Sequence, residues 1–429
     1  MRNYLLILVT ILFSLGARAQ KFDQLAKTPP MGWNSWNKFH CDVSEALIMQ
    51  AADALVSTGM KDAGYEFIVI DDCWQVSRDE NGEIVSDKER FPHGMKYVAD
   101  YVHSKGLKFG IYSSAGNVTC QRRPGGFGHE YQDARTYARY GVDYLKYDWC
   151  GSTTQDARSS YTNMMNALYA AGRPIVFSIC EWGTSKPWDW AGNVGHLWRT
   201  TGDISDNWNS MIDIFNRQTD LARYAGPGKW NDPDMREVGN GGMTTEEYRT
   251  HFSLWCMLAS PLMAGNDLQN MTPETKAILL NREMIAIDQD SLGQQATCYR
   301  DNGDYQIWVK SLSNNEKAIC LLNKSDEKKS VLNGAGPART VFRGRFDRVR
   351  TRTVGWQFRG SGGVGSGGCR CGRNPGGSRA RRAPRFDQRC PHGRPSERDH
   401  ACDLRGEPCG GRHQRDRAAA VPAAQSLGR

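Results

Sequence analysis

Long apolar runs are scarce in this chain of 429 residues, which limits how it can meet a membrane. The one extended run, YLLILVTILF at 4–13, falls well short of the ~20 apolar residues that a spanning helix needs. It follows a basic Arg2 and precedes the small-residue site Ala17-Arg18-Ala19, so we interpret residues 1–19 as a cleaved secretory signal. We therefore expect no membrane partner after cleavage, and an extracellular, periplasmic or, in a eukaryote, lysosomal location.

Motifs for metals and dinucleotides are also missing. No H-E-x-x-H occurs, and no group of cysteines or histidines has zinc spacing. No G-x-G-x-x-G follows an early strand, which argues against a doubly wound nucleotide-binding sheet. We therefore expect chemistry carried by the chain's own side chains, with no metal and no cofactor.

The C-terminal segment lacks whole classes of residue. From Ala335 to Arg429 there is no Lys, Ile, Met or Tyr, and 21 arginines against seven acidic residues give a net charge of +14. The rest of the chain therefore carries a net charge of −6, although the whole chain carries +8. The basic pI of the whole chain thus reflects the tail and not the predicted barrel. We expect 335–429 to be disordered, and our hypothesis is that it is translated out of frame or joined from elsewhere. The alternative is an Arg-Gly arm for nucleic acid, a partner that we do not expect.

Short apolar runs that end in acidic or polar residues recur along the chain. They are FIVIDDCW (67–74), GIYSSAGN (110–117), YLKYDWC (144–150), FSICEW (177–182) and HLWRTTGD (196–203). Helical stretches lie between several of them, most clearly at 43–59, where apolar residues recur at helical spacing. This alternation predicts an α/β fold, and about eight such units match a (β/α)₈ barrel over 27–293. Functional residues should then collect at the carboxyl ends of the strands.

Asp148 and Asp203 are the most informative of these acids, because each lies near the end of an apolar run and has a basic neighbour. Lys146 would share a strand face with Asp148 and favour its ionised form, and Arg199 is suited to hold a sugar hydroxyl. Two carboxyls of this kind suit glycoside cleavage, in which one protonates the leaving oxygen and the other meets the oxocarbenium-like carbon. The alternative for any single Asp is a helix cap or a solvated loop residue.

Seven segments occur in an order that a known family shares. They are TPPMGWNSW (28–36), IDDCW (70–74), GIYSSAGNVTC (110–120), YLKYDWC (144–150), SICEW (178–182), AGPGKWNDPDM (225–235) and SPLMAGNDL (260–268). Over about 27–325 the chain thus resembles glycoside hydrolase family 27, the α-galactosidases and α-N-acetylgalactosaminidases. The resemblance implies a (β/α)₈ barrel, a small antiparallel β domain, and retaining hydrolysis of terminal α-D-galactosides in oligosaccharides, polysaccharides or glycoconjugates.

The resemblance also implies a role for each matching residue. Asp148 would be the nucleophile that forms a glycosyl-enzyme, and Asp203 the general acid and then the general base. Asp71 and Asp72 would bind the 4- and 6-hydroxyls of the sugar, and Trp36 would lie against its apolar face. The other pocket residues would be Tyr112, Lys146, Glu181, Trp182, Arg199 and Asp234. Core packing is the alternative for the aromatic residues, and a simple turn is the alternative for Asp234.

Disulfides are a further implication of the resemblance, which pairs Cys41 with Cys73 and Cys120 with Cys150. Export to an oxidising compartment makes such bridges reasonable. Both bridges would clamp loops beside the pocket.

The resemblance ends within the β domain. DYQIWVK (304–310) and KAICLLN (317–323) read as strands, after which the strand pattern stops, so we assign 294–334 as the start of an incomplete domain. We expect its apolar residues to lose the rest of their sheet and the chain to be poorly soluble. These residues are Ile307, Trp308, Ile319, Leu321 and Leu322.

Several alternatives stay open from the sequence. The loop at 183–186 lacks bulky residues that would exclude an acetamido group, so α-N-acetylgalactosaminidase activity is a rival. β-L-Arabinopyranosidase activity is another, although Asp71 as a ligand of the 6-hydroxyl favours galactose. A non-enzymatic galactose-binding protein, or an inactive truncated product, is the third. The sequence carries no prediction of oligomeric state.

Overall fold

The computed structural model describes residues 21–325 and the backbone of Thr351–Arg352. The predicted signal at 1–19 and the rest of the predicted tail lie outside the described residues. The chain divides into two units, Met1–Val364 and Gly365–Arg429, and everything described below belongs to the first. Within the described part, no helix combines the length and the apolar character needed to cross a membrane.

Eight parallel strands form the main sheet, in the order β10-β1-β2-β5-β6-β7-β8-β9. In chain order the first ten strands are β1 (Met31–Asn34), β2 (Phe67–Val69), the hairpin strands β3 (Gln75–Arg78) and β4 (Ile84–Ser86), β5 (Lys108–Ser114), β6 (Tyr144–Asp148), β7 (Val176–Cys180), β8 (Leu197–Arg199), β9 (Trp230–Asp232) and β10 (Leu262–Ala264). A parallel bridge between Arg236, four residues beyond β9, and Ala264 of β10 joins the two ends of the sheet. The sheet therefore closes, and the predicted (β/α)₈ barrel is confirmed.

Helices lie between the barrel strands and after the last of them. They are α1 (Trp36–Phe39), α2 (Glu45–Ser57), α3 (Met95–Ser104), α4 (Glu130–Tyr140), α5 (Ala157–Ala170), α6 (Trp208–Asn216), α7 (Thr245–Met257), α8 (Pro273–Leu279) and α9 (Arg282–Asp288). The predicted helix at 43–59 is α2, which begins after Ser44 because the Ser44 side chain accepts the N–H of Leu47. Thr244 and Glu247 form a capping box at the start of α7.

The barrel interior is filled by inward-facing side chains of successive strands. They are Phe67, Val69, Tyr144, Val176, Leu197, Trp230 and Met263. Gly32 lets β1 approach β2 closely, since a Cβ at this position would lie 2.4 Å from the carbonyl oxygen of Phe67. A second apolar layer packs the outside of the sheet against the helices. Strand positions, and hence their carboxyl ends, are fixed from both sides.

Lys21 ties the start of the described chain to the amino end of the barrel. Its Nζ donates to the carbonyl oxygens of Gly192, Gly195 and Gly228 at 2.7–2.8 Å. Burial lowers the pKa of Lys21 to about 8. Gly195 and Gly228 come just before β8 and β9, so this contact lies at the opposite end of the strands from their carboxyl ends.

A second sheet follows the barrel, and it differs from the prediction of two strands. Its strands are β11 (Thr297–Asp301), β12 (Tyr305–Ser311), β13 (Lys317–Asn323) and β14 (Thr351–Arg352), with β14 parallel to β13 and the others antiparallel. Sequence analysis missed β11, and β14 lies where no strand was predicted. Ile307, Trp308 and Leu322 are at most 1% exposed, and Trp308 packs on Phe215 of α6 at 4.6 Å between ring centroids. The expectation that these residues lose their packing is therefore wrong for these three.

Candidate active site

A cavity of about 430 Å³ opens at the carboxyl ends of the barrel strands. Nine of the eleven predicted site residues line it: Trp36, Asp71, Asp72, Tyr112, Lys146, Asp148, Arg199, Asp203 and Asp234. They come from the ends of β1, β2, β5, β6, β8 and β9, so strands far apart in sequence deliver them to one place. This is the end at which barrels of this kind carry their functional residues.

Asp71 and Asp72 follow β2 and are almost fully buried. Oδ2 of Asp71 accepts from Asn34 Nδ2 at 2.7 Å and from Lys146 Nζ at 2.8 Å. Asp72 accepts from the Thr119 hydroxyl through Oδ1 and from the Gln121 N–H through Oδ2, both at 2.9 Å. Burial raises the pKa of Asp72, and these hydrogen bonds oppose that rise.

Lys146 and Tyr112 lie beside this acidic pair. The Lys146 ammonium is 5.3 Å from the centroid of the Tyr112 ring. Burial disfavours the charged ammonium, but Asp71 and other nearby acidic groups hold the pKa of Lys146 well above its usual value. The Tyr112 hydroxyl contacts Sγ of Cys120 at 3.3 Å. Lys146 therefore pairs with Asp71, the carboxylate predicted to bind the sugar.

Asp148 ends β6 and is 5% exposed. Its Oδ1 accepts the N–H of Trp149 at 2.9 Å. Burial raises the pKa of Asp148 to about 6, although Lys146 and the Trp149 N–H act in the opposite direction. The shared strand face of Lys146 and Asp148 is confirmed, since both line the cavity. The expectation that Lys146 favours the ionised form of Asp148 is confirmed in direction, but burial outweighs the ammonium, so the pKa of Asp148 is still raised.

Arg199 bridges two carboxylates at the other side of the cavity. Its Nη2 lies 3.0 Å from Oδ1 of Asp203 and 3.0 Å from Oδ2 of Asp234. The Asp203 side chain is 70% exposed, whereas Arg199 and Asp234 are nearly buried. Partial burial tends to raise the pKa of Asp203, but Arg199 and Lys146 outweigh it and hold this pKa below its usual value. In the ligand-free chain a shared proton therefore favours Asp148.

Glu181 and Trp182 are not among the residues that line the cavity. Glu181 is fully buried, and its Oε2 accepts from the Thr184 hydroxyl and the Ser185 N–H, each at 2.7 Å. Its contacts stabilise the turn after β7, and the loop at 183–186 does not reach the cavity lining either. Sequence reasoning placed these side chains by their position after a strand, but the turn directs Glu181 into its own loop.

Both predicted disulfides are present, Cys41–Cys73 and Cys120–Cys150. Cys73 follows Asp72, and Cys120 lies between Thr119 and Gln121, the two residues that donate to Asp72. Each bridge therefore fixes a loop that carries or positions a carboxylate of the cavity.

Ten lining residues were not predicted to line the cavity, although one of them, Cys120, was predicted to form a disulfide beside it. They are Asn37, Lys38, His40, Cys120, Ile204, Ser205, Asp206, Met235, Glu237 and Asn240. Glu237 accepts from Nδ2 of Asn37 at 2.6 Å and from Nδ2 of Asn240 at 2.5 Å, and burial raises its pKa to about 7. Most of these residues lie on loops two or more positions beyond the strand ends, so no apolar run marked them in the sequence.

A (β/α)₈ barrel whose cavity holds Asp148, Asp203 and four further aspartates places the chain in the class of glycoside hydrolases. Residues 28–290 match the model of the alpha galactosidase A family, and the chain belongs to that family. It is 57% identical over 328 residues to an alpha-galactosidase A of Cellvibrio japonicus, covering 74% of this chain and 81% of the relative.

Solved structures show the same similarity. The alpha-galactosidase I of Mortierella vinacea superimposes with a TM-score of 0.70 at 42% identity, covering 71% of this chain and 83% of its own. An alpha-galactosidase of Saccharomyces cerevisiae, solved with raffinose, gives a TM-score of 0.69 at 36% identity over 72% of this chain and 76% of its own.

Proposed function

We propose that the chain is a retaining exo-α-galactosidase that removes terminal, non-reducing α-D-galactose by double displacement. The observation that carries the proposal is the placing of Asp148 and Asp203 in one cavity, beside the buried Asp71 and Asp72. Membership of the alpha galactosidase A family supports the substrate.

In the first step Asp148 is the nucleophile. Its Oδ1 is held by the Trp149 N–H, so Oδ2 is the oxygen free to attack the anomeric carbon. Asp203 gives its proton to the glycosidic oxygen as the bond to the leaving alcohol breaks. The products are a galactosyl ester of Asp148, the free alcohol and an ionised Asp203.

In the second step the ester is hydrolysed. The ionised Asp203 takes a proton from water, the water oxygen attacks the anomeric carbon, and the Asp148 carboxylate leaves. Galactose departs with its original anomeric configuration, and Asp203 is again protonated. The large exposed fraction of Asp203, 70%, suits a group that must meet both the leaving alcohol and water.

The mechanism needs an ionised Asp148 and a protonated Asp203. The pKa values favour the opposite arrangement, because Asp148 has the higher pKa of the two. The competent form, with Asp148 ionised and Asp203 protonated, is then the minor form of a singly protonated pair. Activity should be greatest at acidic pH, between the lowered pKa of Asp203 and the value near 6 for Asp148.

Sugar selection falls to Asp71 and Asp72. Carboxylates that are already fixed by Asn34, Lys146, Thr119 and Gln121 can accept hydrogen bonds from the 4- and 6-hydroxyls without first becoming ordered. An arabinopyranoside lacks the 6-hydroxymethyl group and would leave one of these acceptors unused. Galactose is therefore the favoured sugar of the family alternatives.

Export completes the proposal. Two disulfides at the cavity suit folding in an oxidising compartment, which agrees with a secretory signal at 1–19 and a secreted or periplasmic enzyme. The catalytic domain would extend over 27–293, and the β domain would begin at 294.

The test is hydrolysis of p-nitrophenyl α-D-galactopyranoside by the purified chain, with the α-N-acetylgalactosaminide and the β-L-arabinopyranoside in parallel. We expect preferential cleavage of the galactoside, first release of α-galactose by NMR, and no turnover by Asp148→Ala. First release of β-galactose, or near-normal turnover by Asp148→Ala, would overturn the mechanism, and preference for another glycoside would overturn the substrate.

A further inference from the structure

The backbone at Asp234 is unusual for a residue with a side chain. Its φ is +87°, in the left-handed region that favours glycine. Its Oδ2 contacts Arg199 Nη2 at 3.0 Å and accepts the N–H of Ile204 at 2.8 Å. Arg199 holds the carboxylate of Asp203, and Ile204 follows Asp203 in the chain. Asp234 therefore fixes Asp203 at two points: at the Asp203 carboxylate through Arg199, and at the adjoining backbone through Ile204.

Two side chains of helix α7 form hydrogen bonds to the backbone of the segment 234–237. Trp255 is fully buried, and its Nε1 donates to the carbonyl oxygen of Asp234 at 2.8 Å. One turn earlier, Nε2 of His251 accepts the N–H of Glu237 at 3.2 Å. The ring centroids of His251 and Trp255 are 4.1 Å apart, and the two rings are edge to face. Two side chains of one helix therefore bind both ends of the segment 234–237.

His251 keeps this role across the working pH range. Burial and the nearby Arg236 lower the pKa of His251 to about 3, so the ring stays neutral and Nε2 stays an acceptor. Because Nε2 faces an N–H donor, the ring proton belongs on Nδ1.

We propose that Trp255 is a positioning residue for the proton donor, Asp203. Its indole N–H holds Asp234 in the left-handed conformation. From that conformation the Asp234 carboxylate fixes Arg199 and Ile204, which in turn fix Asp203. The proposal rests on the proposed role of Asp203 as general acid. The indole N–H of Trp255 donates to Asp234, so the effect that we propose passes through Asp234.

A merely structural role for Trp255 makes a different prediction. Loss of packing would lower activity on all substrates alike. Misplacement of the proton donor costs most where the leaving group needs a proton, and least where the leaving group departs as a stable anion. The dependence of the rate on the leaving group therefore separates the two roles.

The experiment compares Trp255→Phe with the unchanged chain on aryl α-D-galactopyranosides. Phenylalanine keeps most of the buried ring and removes the N–H. We expect kcat/KM for phenyl α-galactoside to fall about tenfold more than kcat/KM for the 2,4-dinitrophenyl substrate, a difference that matches the loss of one hydrogen bond. We also expect the pH profile of kcat/KM for the phenyl substrate to move.

Trp308→Phe is the matched control. Trp308 is also fully buried, and its Nε1 donates to Oε1 of Gln306 at 3.0 Å, but it lies in the second sheet. This variant should keep the substrate ratio of the unchanged chain. If Trp255→Phe does not fold by circular dichroism, the pair His251→Leu and His251→Gln takes its place. The leucine variant should change the ratio, and the glutamine variant, whose Oε1 can accept the Glu237 N–H, should restore it.

Equal loss on both substrates by folded Trp255→Phe, or the same ratio change in Trp308→Phe, would overturn the positioning role. Failure of the proposed function looks different. In that case the unchanged chain cleaves neither aryl galactoside, or Asp203→Ala loses as much activity on the dinitrophenyl substrate as on the phenyl one.

Discussion

Nζ of Lys146 lies 2.8 Å from Oδ2 of Asp71, and the two side chains are only 14% and 2% exposed. An ion pair taken out of water in this way depends on both partners, because either one alone is a costly buried charge. The pair therefore connects the stability of the barrel with the carboxylate proposed to bind the sugar.

Lys146→Met should lower both stability and activity. Removing the ammonium leaves Asp71 uncompensated, and we expect the free energy of unfolding to fall by about 3–5 kcal/mol in urea denaturation. The KM for galactosides should rise as well. Lys96→Met is the control, since Lys96 pairs with Asp100 at a site where both side chains are 56% exposed, and it should cost less than about 1 kcal/mol. Equal stability of the two variants would contradict this account.

The pH dependence of Asp203→Ala should reveal Asp148. With a dinitrophenyl substrate the leaving group needs no proton, so the rate depends on the ionised fraction of Asp148 alone. Because the pKa of Asp148 is raised to about 6, kcat/KM should rise with pH and level off above that value. Loss of the Asp203 charge should shift this rise slightly downward. A rate that falls across pH 5–7 would show that Asp148 is not the nucleophile.

Asp148→Asn should be inactive yet more stable at neutral pH. The pKa of Asp148 is about 6 in the folded chain and 3.8 as its ordinary value, so the folded chain binds more protons between these values. The free energy of unfolding therefore falls as pH rises through this window. Asparagine avoids the cost, so the variant should gain up to roughly 3 kcal/mol at pH 7. Unfolding at pH 4 is the control, where the gain should nearly vanish.

Asp133→Asn should destabilise the barrel without touching the cavity. Both carboxylate oxygens of Asp133 accept from Arg78 at 2.7 Å, which ties β3 to α4, and Asp133 is fully buried. We expect a loss of about 3–5 kcal/mol in thermal or urea unfolding. Asp213→Asn breaks an exposed pair with Arg217 and should cost less than about 1 kcal/mol. Similar losses in both variants would contradict the importance of burial here.

Much of the fold and of the site could be predicted, because the buried barrel strands appear in the sequence as apolar runs and the acidic residues of the site follow the ends of those runs. Asp71, Asp148 and Asp203 were found by that rule. Trp255 and Glu237 were not, since their contacts join loops and helices with no periodic signal between them. Asn37 and Glu237, for example, are 200 positions apart.

The net rise in the pKa of Asp148 was not predicted, and its cause is physical. Sequence spacing showed that Lys146 is near, but it could not show how deeply both groups are buried or that the ammonium pairs with Asp71. Desolvation depends on the complete packed structure, so its balance with charge cannot be read from neighbours along the chain.

The cage around the Lys21 ammonium has a practical consequence for handling the enzyme. Its three carbonyls lie at the amino ends of β8 and β9, whereas the cavity opens at the carboxyl ends of the same strands. A linker attached just before Lys21 would begin at the end of the barrel opposite the opening of the cavity. An enzyme immobilised through such a linker should therefore keep the cavity opening accessible to substrate in solution.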